Sequence, residues 1–381
     1  MTVRVAFVSN FLSHHQWPLC EAMQARVSQY HFVATMPIPD HKRQVGYRDM
    51  NTYPFVLRSY DPDQKKAVQE SIMQNEVVIF GDCPTSLIQQ RMQAGKLSFL
   101  YTERFFKKGW WQPYKWTTRR RIARRTTDFN GRSYAILAAG AYVARDAHRV
   151  GFKNPCYRFG YFPALKSYDI DALMVQKQQN TVPRLLWVGR FLPWKHPEVV
   201  LDLAQHLKDA GQPFALDMIG TGKLEQSLKQ RIERQQLSSV VNLLGAVSPE
   251  DVRRYMESAD IFLCTSDYHE GWAAVINEAM NSGCCVIASN AAGATPTLIT
   301  SERNGLIYPY GKNQVLQQQT EWALTHDVAR QAMGREAYAT MQSTWNADNA
   351  AARLMSLFED LLAGREPVLH PEGPCSLAPV L

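Results

Sequence analysis

The chain has 381 residues, 45% of them hydrophobic, enough for two domains with full cores. Lys and Arg number 42 against 35 Asp and Glu, a net charge of +7, and the seven cysteines are scattered without CxxC spacing, which argues against a zinc ribbon or a disulfide framework and for buried thiols in a reducing compartment. No run of about 18 apolar residues exists, so no spanning helix is expected, and the opening MTVRVAFVSN lacks an apolar core behind a basic start, so it reads as a first strand and not as a secretory leader.

In chain order, residues 3–9 predict a strand and 17–27 a helix. Short apolar runs at 30–35, 77–80, 97–101 and 134–138, each bounded by polar or turn residues, predict further buried strands. Such alternation implies a mostly parallel sheet with helices on both faces. Between two of these runs lies RFFKKGWWQPYKWTTRRRIARR, residues 104–125. It holds nine basic residues, no acidic one and six aromatics, so it carries more positive charge than the whole chain nets. A patch so localised points to one anionic partner: phospholipid, lipid diphosphate or nucleic acid. The competing reading puts half the aromatics in the core and the arginines on a solvated helix face.

Residues 164–183 are polar and Gln-rich and end in Pro183, which predicts a linker. The second half repeats the alternation: strands at 184–188, 214–219, 240–244, 261–264 and 285–288, with helices at 198–210, 224–236, 249–257 and 272–282. Ser248 reads as an N-cap with Pro249 at the first helical position. This is a second doubly wound α/β domain. Helical patterning resumes at 313 and continues to about 362. The tail from Gly364 holds four prolines and two glycines and is expected to be mobile.

The segment with most chemical content is HEGWAAVINEAMNSGCCVIASNAAGATPTLI, residues 269–299. Glu270 precedes a predicted helix and Glu278 lies just under two turns inside it. Gly271 lets backbone approach a ligand closely, and amides opening a helix favour an anion such as a diphosphate. A carboxylate beside them suits sugar hydroxyls and repels phosphate. The segment thus looks built for a ligand with both parts, a nucleotide sugar.

At these residues the chain resembles a known family. The pair Glu270-x7-Glu278, followed by EAM-x-x-G and the strand VIAS, is similar to family 4 of the retaining glycosyltransferases, which have the GT-B fold. WVGRFLPWKH (187–196) resembles its Gly-Arg…Lys loop, MIGTGKLEQSL (218–228) its I-G-x-G turn, and LLGAVSPEDVRRYMESADIFLCTS (243–266) the stretch before its first glutamate. The likeness covers about 184–310 and is weak over the first half.

The resemblance implies a GT-B fold, two Rossmann-like domains facing across a cleft: an acceptor domain at 1–163, a linker at 164–183, a nucleotide-sugar domain at 184–340, and a helix at 346–362 crossing back. It implies that Arg190 and Lys195 neutralise the donor diphosphate and the departing nucleotide. Glu270 would lie near the donor sugar, Gly271, Trp272 and Ala273 would offer amides to sugar or phosphate, Glu278 would hold the ribose hydroxyls, and Gly220 and Gly222 would form the turn by the nucleotide. No metal and no separate cofactor is implied, the nucleotide sugar being a substrate. Glu103 occupies the stretch where the family often has a histidine near the sugar; its competing reading is an ordinary solvated or salt-bridged glutamate.

Three departures stand out. Ala273 replaces the second glycine of a Gly-Phe-Gly pattern, Gly283-Cys284-Cys285-Val286 replaces Gly-x-Pro-Val, and Ser9-Asn10-Phe11 lacks a common Gly-Gly pair. His14 and His15 in that first loop read as capping or exposed histidines, Cys284 and Cys285 as core, and Asp82 as a turn residue. The implied activity is a metal-independent, retaining transfer from a UDP- or GDP-sugar to a hydroxyl of a glycan or polyprenyl-diphosphate-linked glycan, in cell-surface polysaccharide synthesis. The expected location is the cytoplasm, with 104–125 meeting the inner face of the plasma membrane and no nucleic acid. The alternatives are a GT-B sugar-nucleotide epimerase, which needs acid and base residues on both sides of the sugar, and a non-enzymatic binder of nucleic acid or lipid.

Overall fold

The apolar runs of the first half fold as strands β1 (Arg4–Ser9), β2 (Gln29–Ala34), β3 (Val56–Arg58), β4 (Val77–Phe80), β5 (Ser98–Thr102), β6 (Tyr134–Ala139) and β7 (Cys156–Phe159). Those of the second half fold as β8 (Arg184–Val188), β9 (Ala215–Ile219), β10 (Val241–Gly245), β11 (Ile261–Cys264), β12 (Cys285–Ser289) and β13 (Leu306–Tyr308). The structure, a computed structural model, describes residues 3–44, 48–107, 109 and 111–381. Residues 1–164 with 345–381 form one unit and 165–344 the other.

Among the described residues the first unit has a seven-stranded sheet, ordered β3-β2-β1-β4-β5-β6-β7, and the second a six-stranded sheet, ordered β10-β9-β8-β11-β12-β13. The pairings are parallel throughout. Parallel strands need helical crossovers that cover both faces, and β4, β6, β11 and β12 are accordingly buried along their whole length. The doubly wound α/β class expected from the alternation is present in both units. Strand order reverses between β1 and β4 and again between β8 and β11. At such a switch point the loops leaving two neighbouring strands diverge and leave a crevice at their carboxyl ends.

The second unit's core shows why its helices form. The helix Pro197–Asp209 places Val200, Leu201, Leu203, Ala204 and Leu207 on one buried face. Each fully buried Leu or Val contributes about 1.5–3 kcal/mol; Leu203→Ala would cost about 2–5 kcal/mol. Ser248 caps Pro249–Ser258 as expected, its side chain accepting from Asp251 N at 3.1 Å.

Three regions differ from the sequence expectation. The segment read as a linker contains a helix, Ile170–Gln178, belonging to the second unit. Asp169 Oδ1 caps it, accepting from Asp171 N and Ala172 N, both at 3.1 Å. Leu173 and Met174 are buried, and the buried Lys177 ammonium donates to Met256 O at 2.9 Å and to Ala259 O. One apolar pair and one anchored cation dock the helix, so its Gln-rich face hides it in a periodicity count.

The tail expected to be mobile is seated on the first unit. Cys375 N donates to Arg158 O at 2.8 Å, Arg158 N to Ser376 O at 2.7 Å and Ala378 N to Cys156 O at 2.8 Å, and Tyr157 bridges Leu377 antiparallel. Backbone bonds carry this contact and cover the edge of β7, so side-chain composition does not reveal it. The helix Ala347–Leu362 also belongs to the first unit: Asp348 pairs with Arg26 at 2.6 Å, and Phe358 lies 5.2 Å from Phe99 between ring centroids.

The third is the helix predicted at 272–282. It runs Ala274–Asn281, because Ala273 at its N-cap has φ 81°, in the left-handed region.

Candidate functional site

The two loops flanking the second switch point carry the predicted cations and the first predicted carboxylate. After β8 the chain turns through Gly189 and Arg190 to Lys195. After β11 it passes Thr265 and Asp267 to Glu270. Since β8 and β11 are hydrogen-bonded neighbours, the loops run together. Asp267 N donates to Trp194 O at 2.9 Å, and Thr265 Oγ1 donates to Lys195 O at 2.6 Å while accepting from Trp187 Nε1 at 3.0 Å. The Lys195 ammonium forms an ion pair with Glu270 Oε2, both side chains being 16% exposed. Ser266 Oγ donates to the same oxygen at 3.4 Å.

The glycines are held to the same loop. Phe191 N donates to Thr221 O at 2.8 Å and Leu224 N to Phe191 O at 3.1 Å, stitching the turn after β9 to the loop after β8. Gly220 has φ 144°, and a Cβ there would lie 1.9 Å from Gly189 O; Gly222 has φ 153°, and its Cβ would meet Phe191 O at 2.6 Å. Only glycine tolerates that conformation and that approach.

Arg190 is exposed on this loop, and Glu270 and Lys195 are half-buried. Gly271 and Trp272 are buried ahead of Ala273, and the Trp272 indole donates inward to Asn277 Oδ1 at 2.8 Å. That indole serves packing; any contact of Trp272 with a ligand would come from its backbone. The first-turn amides of the following helix lack i−4 carbonyl partners and present partial positive charge. Glu278 is half-buried in this helix, and burial raises its carboxyl above the usual range, partly opposed by Arg253. Arg253 itself bonds to Glu278 O at 2.8 Å and to Asn281 Oδ1.

Next to Lys195 the structure adds a cluster to which the sequence assigned no role. His196 Nδ1 lies 2.8 Å from Glu198 Oε1, and its Nε2 lies 3.2 Å from both Asp267 Oδ2 and the Tyr310 hydroxyl. The pattern of Lys-His followed some seventy residues on by Asp three positions before Glu270 was visible, but no spacing rule joins residues brought together by a switch point. Among the described residues no group of three His, Cys, Asp or Glu side chains is arranged to hold a metal ion.

Glu103 lies in the first unit just after β5, ion-paired with Lys107. His14 and His15 have ring centroids 3.9 Å apart, and burial lowers both, His15 to about 3, so both are neutral near pH 7. Asn10 Nδ2 donates to Asp82 Oδ2 at 3.3 Å across the first switch point. All seven cysteines are free and buried.

The basic stretch divides in two. Arg104 pairs with buried Asp146 at 3.4 Å, and Arg125 donates to Gly81 O at 2.6 Å; with Lys107 these cations face the protein. Phe106 and Ile122 pack with Val150 in a small core. Outward lie Lys115, Arg119, Arg120, Arg121 and Arg124, around the helix Trp116–Ala123. Tyr114 and Trp116 are 79% and 69% exposed. Lys115 lies 4.5 Å from the Trp111 ring and Arg120 5.6 Å from that of Trp116. Lys108 and Trp110 lie outside the described residues. No helix among the described residues is long and apolar enough to cross a membrane.

Residues 170–340 match the family model described as glycosyl transferases group 1. The amylovoran biosynthesis glycosyltransferase AmsK of Erwinia amylovora is 35% identical over 138 residues, which are 35% of this chain and 34% of that protein. A GDP-mannose-dependent alpha-mannosyltransferase of Mycobacterium tuberculosis is 32% identical over 133 residues, 34% of this chain and 31% of its own. The match thus spans about a third of the length of these relatives. The crystal structure of Anabaena Alr3699/HepE in complex with UDP superposes with a TM-score of 0.67 at 15% identity, covering 93% of this chain and all of that one, a likeness of fold. The segment 170–340, with its paired loops at the β8/β11 switch point, is a glycosyl transferases group 1 domain.

Proposed function

We propose that this chain is a glycosyltransferase that moves a sugar from a nucleoside-diphosphate sugar to a hydroxyl of a glycan or lipid-linked glycan, in the synthesis of a surface polysaccharide. The observation that carries the reading is the meeting of the Lys195 and Glu270 loops at the β8/β11 switch point, beside a glycine turn where backbone comes within a Cβ's reach. A cation, helix-opening amides and side-chain-free backbone suit a diphosphate; Glu270 and Glu278 suit hydroxyls. The relatives' names support the substrate class: one is a glycosyltransferase of amylovoran biosynthesis, one is GDP-mannose-dependent, and the Anabaena structure is in complex with UDP. The donor in this reading is a UDP- or GDP-sugar.

The chemistry we propose is metal-independent and retains anomeric configuration. The bond from the sugar's anomeric carbon to the diphosphate oxygen breaks, leaving an oxocarbenium-like centre. The acceptor oxygen bonds to the same face, and its proton passes to the departing diphosphate. Arg190 and Lys195 offset the charge growing on that leaving group, which is where a preorganised cation lowers the barrier most. Glu270 orients the Lys195 ammonium and lies by the sugar; Glu278 accepts from the ribose hydroxyls; Glu103 is our candidate on the acceptor unit. The exposed cations and aromatics of 111–124 would meet an anionic lipid surface at the cytoplasmic face of the membrane, where a lipid-linked acceptor is presented.

The test is release of UDP or GDP from a panel of nucleotide sugars, with and without glycan acceptors, read by mass spectrometry. Release by the wild-type chain that is lost in Glu278→Ala with its fold intact supports the reading. A chain that turns over no donor, or that returns an epimerised sugar nucleotide, overturns it.

A further inference from the structure

We infer that His196 is a positioning residue: its ring bridges Glu198 and Asp267 and so fixes the Lys195 loop against the Glu270 loop. The inference rests on the glycosyltransferase reading above, which gives those loops their role. Both ring nitrogens face carboxylates, Nδ1 to Glu198 Oε1 at 2.8 Å and Nε2 to Asp267 Oδ2 at 3.2 Å. Only an imidazolium has two N–H donors, so this geometry calls for the charged ring.

The backbone argues the same way. His196 has φ 47°, in the left-handed region where glycine is the usual occupant. A histidine kept there costs conformational energy that a glycine would not, and the structure shows what the side chain gains: two carboxylates on different elements. Glu198 opens the helix Pro197–Asp209, and its Oε2 is buried without a hydrogen-bond partner. Asp267 lies in the loop after β11 and also accepts from His269, from the backbone N and near Nδ1 at 2.7 and 2.9 Å. Lys195 is the residue immediately before it in the chain, so the ring's anchorage sets the direction in which the ammonium leaves the backbone toward Glu270.

The charged and titratable groups around the ring are Glu198 and, behind it, Arg231 on the helix Glu225–Arg234, whose Nη1 donates to Glu198 O at 3.2 Å. From the β11 loop come Asp267, His269 and Tyr268; from the segment after β13, Tyr310; and on the ring's own loop, Lys195 paired with Glu270. The two carboxylates dominate. Asp267 first, then Glu198, raise the imidazole to about 9 against burial. The bridge is intact at neutral pH and opens as pH rises through about 9.

The experiment uses the full chain in two arms. In the first, the imidazole resonances of His196 are titrated by NMR, with no substrate. A midpoint near 9, falling by about one unit or more in Asp267→Asn, is expected; a midpoint near the ordinary 6.5 overturns the bridge. In the second, nucleotide release is measured in His196→Gly and His196→Arg. Glycine accepts the left-handed backbone, so the fold is kept, yet kcat is expected to fall roughly 10- to 100-fold with KM for the donor little changed. Arginine restores a cation between the carboxylates and is expected to recover a good part of kcat, without the wild type's decline above about pH 9. A His196→Gly enzyme as fast as wild type overturns the inference. A wild-type chain without turnover sinks the glycosyltransferase reading and the positioning role that rests on it, while the titration still decides the bridge.

Discussion

Lys195 and Glu270 form an ion pair across the β8/β11 switch point, each side chain 16% exposed. They are 75 residues apart in the chain and meet because the strand order reverses between their parent strands. Lys195→Ala should lower kcat for nucleotide release by roughly 10²- to 10³-fold, the usual loss when one preorganised charge at a leaving group is removed. It should also destabilise the fold by about 1–3 kcal/mol, since Glu270 keeps its carboxylate in a half-buried place without its cation. Removing both charges, Lys195→Ala with Glu270→Ala, should restore part of that stability. Denaturant midpoints of the four proteins measure the coupling; strictly additive midpoints would mean that the pair does not exist in solution.

Glu278 offers a stability test opposite in sign. Its carboxyl is raised by burial, so the folded state disfavours the charged form. For a group raised above its unfolded value, the stability it confers is present below the ordinary carboxyl range and lost as pH rises through the folded value. Glu278→Gln should therefore raise the melting temperature at pH 7, and the gain should shrink toward pH 4, where both states are protonated. The same change should weaken donor binding by roughly ten- to a hundredfold, the worth of hydrogen bonds to a charged acceptor. Calorimetry at the two pH values, with the donor KM, checks both halves.

The glycine turn separates steric need from backbone freedom. Gly220→Ala must push a methyl into Gly189 O, 1.9 Å away, at φ 144°. Gly211 has φ 66° with nothing near its absent Cβ. Gly211→Ala should cost about 1 kcal/mol from the left-handed backbone alone, and Gly220→Ala about 3 kcal/mol or more. Equal midpoints for the two would show that the turn after β9 is looser than described.

How much of this was legible beforehand depends on what kind of interaction carried each feature. Ser248 with Pro249 announces a helix start because capping is local. Gly220, Gly222, Lys195 and Glu270 could be picked out because their spacing resembles a family pattern. The three-residue edge strands β3 and β13 have no period to read, and the helix Ile170–Gln178 shows only Leu173, Met174 and Lys177 to the core. The tail binds through backbone, which leaves no mark in composition. The basic stretch was legible as charge but not as geometry: Arg104, Lys107 and Arg125 face inward, and only the cations around Trp116–Ala123 face out.

That division sharpens the membrane prediction. Replacing Arg119, Arg120 and Arg121 by serine should weaken binding to vesicles containing anionic lipid by on the order of 3 kcal/mol at low salt, about 1 kcal/mol for each cation near the surface. Raising salt should mimic the change. Trp116→Ala should weaken binding less and without salt dependence, since the ring contributes burial. Co-sedimentation across a salt series measures it. Salt-insensitive binding, or retention of nucleic acid but not vesicles at physiological salt, would refute a lipid partner for this surface.

Ala273 is the residue at which a departure from the family pattern becomes a measurable strain. Its φ of 81° is left-handed, it is 5% exposed, and it caps the helix that carries Glu278. An L-residue there pays about 1–2 kcal/mol relative to glycine, offset in part by burial of one methyl. Ala273→Gly should therefore stabilise the chain by about 1 kcal/mol, raising the melting temperature by about 2–4 °C, while leaving nucleotide release within about twofold, because the amides it orients are unchanged. Ala273→Val should do the reverse, since a β-branched side chain is still less tolerated at positive φ. Paired melts and donor turnover decide it. If glycine fails to stabilise, the left-handed cap is not under strain, and the alanine at this position is as comfortable as the glycine it replaces.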